Sequence, residues 1–444
     1  MEKKQLKYQT AWHRMGDALI KPGGEYGQTV IMNPCVVKKE KDIYLFYASA
    51  DESNRRNIRL IIFKDGDFSQ PQYKGVMIPN GPWGSFDGAW NVLPMVVKVK
   101  EKWHMYYTGN SGMGIGLANF PGLGLATSED LIHWEKYPGG PVLAPSGIAG
   151  TPDCMGIAGG AIVTLPDGTL RWYYVGCPTV GTEHFLDQQK YACVAESKDG
   201  IHWERKGAVI ERDPQRDYKD IATPPGGTCI QEDSLYKMWY PCIGTRWGFY
   251  SICYGESEDG LNWNIGECYA DELAFGPRTR HLDMEEPYHM WDSQMVSYPA
   301  VFDKDGKRYM FYCGNAYGVG GLGLAVACNS RVYARGTELF AMYKGERYDV
   351  SMDVTVNGKK LPKTDWSKPD SDCNIWTESV IDDVTVRLIL THTVEGIRVF
   401  CTAISQGKEA DVTVEVQFGT LARGADGLRI EKMDTKTAKV DIVL

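Results

Sequence analysis

Apolar and polar positions between residues 30 and 330 alternate in short runs at strand spacing, and one unit of that pattern recurs five times. Each copy opens on Pro or Gly, continues with an apolar stretch, and reaches a Tyr in an aromatic run thirteen or fourteen residues later: Pro34 to Tyr47, Pro94 to Tyr107, Gly160 to Tyr174, Gly227 to Tyr240 and Pro299 to Tyr312. The aromatic runs read YLFYAS, HMYYTGN, RWYYVGC, YKMWYPC and RYMFYCGN. Their separation, roughly sixty to seventy residues, is that of blades in a β-propeller, and five blades follow. After each aromatic strand comes a small-residue strand such as GLGLATS (122–128) or GLGLAVA (321–327), whose Gly and Ala suit close packing between neighbouring sheets. Three copies then turn tightly in SEDLIHW, SKDGIHW and SEDGLNW, which places Trp134, Trp203 and Trp263 at one blade position, packed against the neighbouring blade. Residues 1–29 are expected to supply a closing strand or a rim loop.

Past about residue 335 the repeat stops. DVTVNGKKL, VTVRLILTHTVEGIRVFCTAIS, ADVTVEVQF and AKVDIVL alternate apolar with polar residues, the signature of a second all-β domain, most simply a sandwich. The sequence therefore predicts an all-β chain: a five-bladed β-propeller catalytic domain over 1–335 and a β-sandwich domain over 336–444.

Charge and cysteine usage narrow the function. A formal net charge of -9 with no sizeable basic cluster argues against a nucleic-acid surface. The N-terminus MEKKQLKYQT has no apolar run to serve as a signal peptide, and no run of eighteen apolar residues occurs, so a cytoplasmic, non-membrane protein is expected. Twelve cysteines without CxxC spacing read as buried free thiols in a reducing compartment. No HExxH, GxSxG or P-loop motif is present.

Candidate chemistry lies in the loops that enter the inner strands. Seven residues before four of the anchors stands an aspartate, Asp87, Asp153, Asp220 and Asp292, while the first copy has Gly27 there. Equivalent positions should point the same way, so these carboxylates are expected to converge on one pocket. Crowded carboxylates hold different protonation states, which is what cleavage of a glycosidic bond requires. Asp87, Asp153 and Asp292 are the expected catalytic set. Sugar-binding groups flank them: Trp83, Trp90 and Asn91 near Asp87, and His289, Trp291 and Gln294 near Asp292. Asp220 joins these, as do Arg246 and Trp247 in GTRWGFY and Arg280, His281 and Glu286 in GPRTRHLDMEEP, where guanidinium forks match an oxyanion. Arg55, Arg56 and Arg59 read as solvated.

FDGAWNVLPMVV with HMYYTGN and GLGLATSEDLIHWEK resembles the five-bladed propeller glycosidases, the superfamily of glycoside hydrolase families 32, 43, 62, 68, 117 and 130. That resemblance covers residues 30–330 and implies three acidic residues at the channel mouth acting on furanosides or mannosides. The fructosidase branch carries an Asn-Asp-Pro motif on its first blade, where this chain has Met32-Asn33-Pro34 without the acid. The expected function is a glycoside hydrolase acting on a small carbohydrate. A glycoside phosphorylase, a carbohydrate lyase and a non-catalytic sugar-binding propeller are the alternatives. No cofactor is required, with room for a structural channel cation such as calcium, and homo-oligomers remain open.

Overall fold

The computed structural model describes residues 5–113, 120–178, 190–210, 227–244, 248–266, 273–278, 290–343, 345–367, 373–392, 394, 396–405, 410–418 and 437–443. The chain divides into two compact units. The first holds Arg14–Glu272 and Gly276–Ala325, and the second holds Gln5–His13, Leu273–Phe275 and Val326–Leu444. The second unit thus begins about ten residues before the expected 336. The strand Ser330–Arg335 pairs with Glu338–Tyr343, which makes it part of the new unit and not a trailing piece of the repeat.

The strands of the first unit form five antiparallel groups in chain order, sheets one to five, the first two joined by the parallel Arg56–Trp90 pair into one eight-stranded sheet. Sheet one is built from Ile31–Lys39, Asp42–Ala50, Arg56–Phe63 and Pro71–Ile78; sheet two from Trp90–Val99, Lys102–Asn110, Gly122–Ser128 and Glu135–Lys136. Gly156–Thr164, Leu170–Cys177, Tyr191–Ser197 and Glu204–Ile210 form sheet three, and sheet four contains Thr228–Glu232, Leu235–Gly244 and Gly248–Ser257. Ser297–Lys304, Lys307–Cys313 and Leu322–Ala327 make sheet five, whose outer strand is the segment ending at Arg14. The N-terminal region therefore closes the last sheet: Met15 N–H donates to Leu324 O at 2.9 Å, and Ile20 pairs with Leu322. The first strand of each sheet lies against the first strands of the sheets before and after it, and that of sheet five lies against that of sheet one. The series closes into a ring.

The Pro and Gly anchors do not open their strands. Asn33, Leu93 and Tyr298, each directly before an anchor proline, have φ of 55°, 53° and 54°. The pairing register slips at Met32/Cys35, Val92/Met95, Ala158/Ala161 and Ser297/Ala300. Pro34, Pro94, Gly160 and Pro299 thus lie at a β-bulge two to four residues inside the inner strand, a device that bends a strand and re-aims a side chain, whereas Gly227 directly precedes its strand.

The repeated hairpins behave as expected. In all three, the serine hydroxyl and the aspartate two residues later accept the backbone N–H groups of the turn, so the motif needs Ser and Asp at those places. Trp134 meets Phe46 of sheet one, Trp203 meets Tyr106 of sheet two, and Trp263 meets Tyr173 of sheet three, all edge to face at 5.5–5.8 Å. Tyr106 and Tyr173 also donate to Gly200 O and Gly260 O in the next sheet's hairpin at 2.8 Å. His133 and His202 are exposed and bond the turn aspartates Asp130 and Asp199.

In the second unit, the sheet of Ser330–Arg335, Glu338–Tyr343, Glu346–Val356 and Val412–Phe418 shares one apolar core with the sheet of Ile375–Ile381, Val384–His392, Gly396–Ser405 and Thr437–Val443. Val350, Val354, Val386, Leu388 and Val399 point inward, as the alternation requires.

Candidate functional site

The three aspartates expected to be catalytic are buried, and each belongs to its own sheet. Asp87 accepts from Tyr107 Oη at 3.3 Å and pairs with Lys136 Nζ at 2.5 Å. Asp153 accepts from Tyr174 Oη at 2.9 Å and pairs with Arg205 Nε at 2.6 Å. Asp292 accepts from Tyr312 Oη at 3.0 Å and is held by both Arg14 Nε at 2.8 Å and Arg278 Nε at 3.0 Å. The tyrosines are the repeat's anchor tyrosines, and Lys136, Arg205 and Arg14 stand on the outermost strands. No two of these carboxylates share a partner. Positions related by the repeat do point the same way: each carboxylate reaches the cation on the outer strand of its own sheet.

The alanines of the small-residue strands pack between neighbouring sheets as expected, Ala126 in the cluster with Phe46 and Leu60 and Ala195 in that with Tyr106, while their glycines serve the tyrosine–aspartate arrangement. A Cβ at Gly124 would lie 2.4 Å from Tyr107 Cζ, and one at Gly323 would lie 2.2 Å from the Trp291 ring, so glycine leaves room for the rings over the strand. In sheet one, where Gly27 replaces the aspartate, Tyr47 Oη donates to Tyr26 O instead. Burial, reinforced by the adjacent aspartate, keeps the Tyr107 phenol above its ordinary range and protonated, as a donor to that carboxylate must be.

The other expected groups are scattered. Trp83 is 65% exposed. Asn91 is buried and ties down the preceding loop through Pro79 O at 2.9 Å. Trp291 stacks on Tyr312 beside Asp292 with ring centroids 5.1 Å apart. Gln294 is exposed, and its backbone N–H donates to Asn315 Oδ1. Asp220, Arg246, Trp247, Arg280, His281, Glu286 and His289 lie outside the described residues. Among the described residues no cluster of three or more His, Cys, Asp or Glu could hold a metal ion, and no helix is long and apolar enough to cross a membrane. The cysteines described carry free thiols.

A different set of groups does come together, at the end of the ring where the first strands begin. The bulge residues Asn33 and Tyr298 sit side by side there, and Asn33 Oδ1 lies 3.4 Å from the Leu93 N–H. Ser297 Oγ is buried without a hydrogen-bond partner, and the Asn33 amide faces the Tyr298 phenol. Arg56, first residue of its strand, pairs in parallel register with Trp90, first residue of sheet two. Its guanidinium carbon rests 3.9 Å from the Trp90 ring centroid. Tyr250 and Tyr317 continue the aromatic wall beside Tyr298. Burial holds the Tyr298 phenol above its usual range, Tyr317 adds to this, and Arg56 and Asn33 pull the other way. Flat aromatic faces beside amide, hydroxyl and guanidinium donors are the chemistry of sugar binding. Of this set the sequence pointed only to Trp90. Arg56 looked like a loop residue because its placement depends on a pairing between strands of different sheets, for which the local pattern carries no signal.

A family model, the N-terminal domain of glycosyl hydrolases family 32, matches residues 91–276. An uncharacterized protein of Mycobacterium tuberculosis is 28% identical over 334 residues, covering 72% of this chain and all of the relative. Sucrose-6-phosphate hydrolase of Zymomonas mobilis is 33% identical over 123 residues, 28% of this chain and 22% of that protein. Among solved structures, a glycoside hydrolase superposes with a TM-score of 0.55 at 18% identity, covering 72% of this chain and 92% of that one. A member of the GH130 family of mannoside phosphorylases, which contains hydrolases of β-1,2-mannosidic linkages, does so with a TM-score of 0.52 at 16% identity over 73% and 96% of the two chains.

Proposed function

We propose that the chain is a five-bladed propeller glycosidase, with no one family assigned, and that it hydrolyses a glycosidic bond in a furanoside or short oligosaccharide at the ring's mouth; the family 32 match and the likeness to glycoside hydrolases support this. The observation that carries the reading is the gathering of Asn33, Ser297, Tyr298, Arg56 and Trp90 where the inner strands begin, with buried polar atoms left unpaired. Orphaned buried donors and acceptors are rare in folded proteins, and a cluster of them calls for a bound polar partner. Such a mouth suits a small carbohydrate taken up by the cell.

Within this reading Asp87, Asp153 and Asp292 hold each sheet together and do no chemistry. Each is already engaged by a phenol and a cation, so none is free to accept a substrate proton or attack a sugar carbon. Asn33 stands where the fructosidase branch has its acid, and an amide can orient a sugar hydroxyl but cannot serve as nucleophile. On sequence position alone, Glu285 or Glu286 is the next candidate for one of the acidic residues, which must act as a pair. The test is turnover of an aryl-glycoside panel by wild type, E285Q and E286Q, with and without inorganic phosphate. Turnover without phosphate, reduced at least about a hundredfold in one Gln variant, is the expected result. A strict phosphate requirement would make the enzyme a phosphorylase, and no turnover of any glycoside would defeat the reading.

A further inference from the structure

We propose that Arg56 receives an anionic group, a carboxylate or a phosphate, carried by the substrate sugar, so that the mouth selects acidic over neutral sugars. The proposal rests on the glycosidase reading and sharpens its substrate class.

Arg56 differs from the cations around it. Arg14, Lys136, Arg171, Arg205, Lys237, Arg278 and Arg308 in the same unit all contact carboxylates. Arg55 and Arg59 donate to neutral oxygens through their terminal nitrogens, at Gly81 O and Gly88 O and at Glu25 O and Tyr73 Oη, although their Nε atoms are buried without a partner, as that of Arg56 is. Among the described residues the only acceptor for the Arg56 side chain is a thioether, Met32 Sδ at 3.1 Å from Nη1. Its Nε is buried and unpartnered. A thioether is a weak acceptor, so nothing among the described residues matches the cation.

The residue is nevertheless fixed. Its backbone N–H donates to Ala89 O at 3.2 Å, and the Trp90 indole covers one face of the guanidinium. Stacking of this kind holds the plane of the group and directs hydrogen bonding to its edge, where a carboxylate or phosphate oxygen is recognised. A partly buried cation without a counter-charge is costly, and burial accordingly pulls its pKa down. An oxyanion arriving on a ligand removes that cost, whereas a neutral hydroxyl recovers little of it. The neighbours Asn33, Ser297 and Tyr298 are neutral, so the anion meets no repulsion from them. They are also placed to bind the hydroxyls of the sugar that carries it.

The test is titration calorimetry of the full chain with D-glucuronate, D-galacturonate, glucose 6-phosphate, glucose, galactose and inorganic phosphate, for wild type, R56Q and R56K. Acidic sugars are expected to bind at least about tenfold more tightly than their neutral counterparts. R56Q should bring that ratio close to one and R56K should restore part of it. Preference for a uronate or for the sugar phosphate tells which oxyanion is carried. Equal affinity for neutral and acidic sugars, or a ratio unchanged in R56Q, would overturn the proposal while leaving the glycosidase reading intact. Inorganic phosphate binding as tightly as the acidic sugars would take the anion off the substrate and overturn it too. Binding of no sugar at all would contradict both readings.

Discussion

Asp292 is the residue on which the sequence and the structure part most clearly. Its carboxylate is wholly buried and carries three partners, Tyr312, Arg14 and Arg278. Converting it to Asn removes the charge and leaves two largely buried guanidinium groups uncompensated, a change that costs on the order of 3–5 kcal/mol in buried pairs. D292N should therefore lower the urea midpoint substantially. D87N and D153N should lower it less, because Lys136 and Arg205 are 30% and 35% exposed and water replaces part of the lost interaction. A catalytic role would give the opposite pattern, in which all three Asn variants are fully stable and inactive. R14A and D292N should also be non-additive in a double-mutant cycle, since they remove the same contact; additive losses would mean that the pair contributes nothing of its own.

Strands and hairpins carry the next level. The glycine at 124 exists for the Tyr107 ring that leans over it, so G124A should force that ring away from Asp87 and destabilise by about 1–3 kcal/mol, as overpacking does. Neighbouring sheets are tied by charge as well as by aromatic contact. Arg308 of sheet five makes paired hydrogen bonds to both oxygens of Glu232 in sheet four, at 2.7 and 2.6 Å. Those bonds from Arg308, helped by Lys237 and opposed by partial burial, bring the Glu232 carboxyl down from 4.5 to about 2. A carboxyl with a depressed folded value stabilises above its unfolded pKa and loses that contribution as pH falls toward the folded one. Wild-type stability should thus drop between about pH 4.5 and 2 more steeply than that of E232Q, by a fraction of the ideal linkage because the pair is partly exposed. Parallel pH profiles of urea midpoint for the two proteins would show that the tie between these sheets is inert.

At the scale of the whole molecule, closure explains what the sequence made legible and what it hid. Five aromatic strands at equal spacing and three Ser-x-Asp hairpins are local patterns, and they are where the periodicity put them; the switch to a second β unit was legible too, but comes about ten residues earlier than the pattern placed it. The inner strands, by contrast, begin before their prolines, because a bulge at Asn33, Leu93 or Tyr298 leaves the same apolar signature as a strand start. The aspartates were visible as a repeat, yet a repeat fixes only that they share an orientation; whether that orientation faces the ring's axis or the outer strand depends on the second strand's tyrosine and the fourth strand's cation. Arg56 and Trp90 meet across two sheets and left no local trace. Closure also gives the N-terminal segment a structural task. Removing residues up to Ile20 would bare the edge strand at Leu322–Ala325 and leave Asp292 without Arg14, so the truncated chain should aggregate or unfold with less urea. A truncated chain as stable as the whole would show that the ring does not depend on that strand.

The central claim is that a glycosidic bond is cleaved at the mouth of the ring, where Asn33 stands, and the most direct test is kcat/KM on the aryl-glycoside panel for wild type and Asn33→Gly. Glycine accepts the φ of 55° at this position, so the substitution removes the amide without straining the bulge. Wild type should turn over at least one glycoside, and Asn33→Gly should lose about a hundredfold or more of that activity at an unchanged urea midpoint. Undiminished activity in the variant would place the chemistry elsewhere in the molecule.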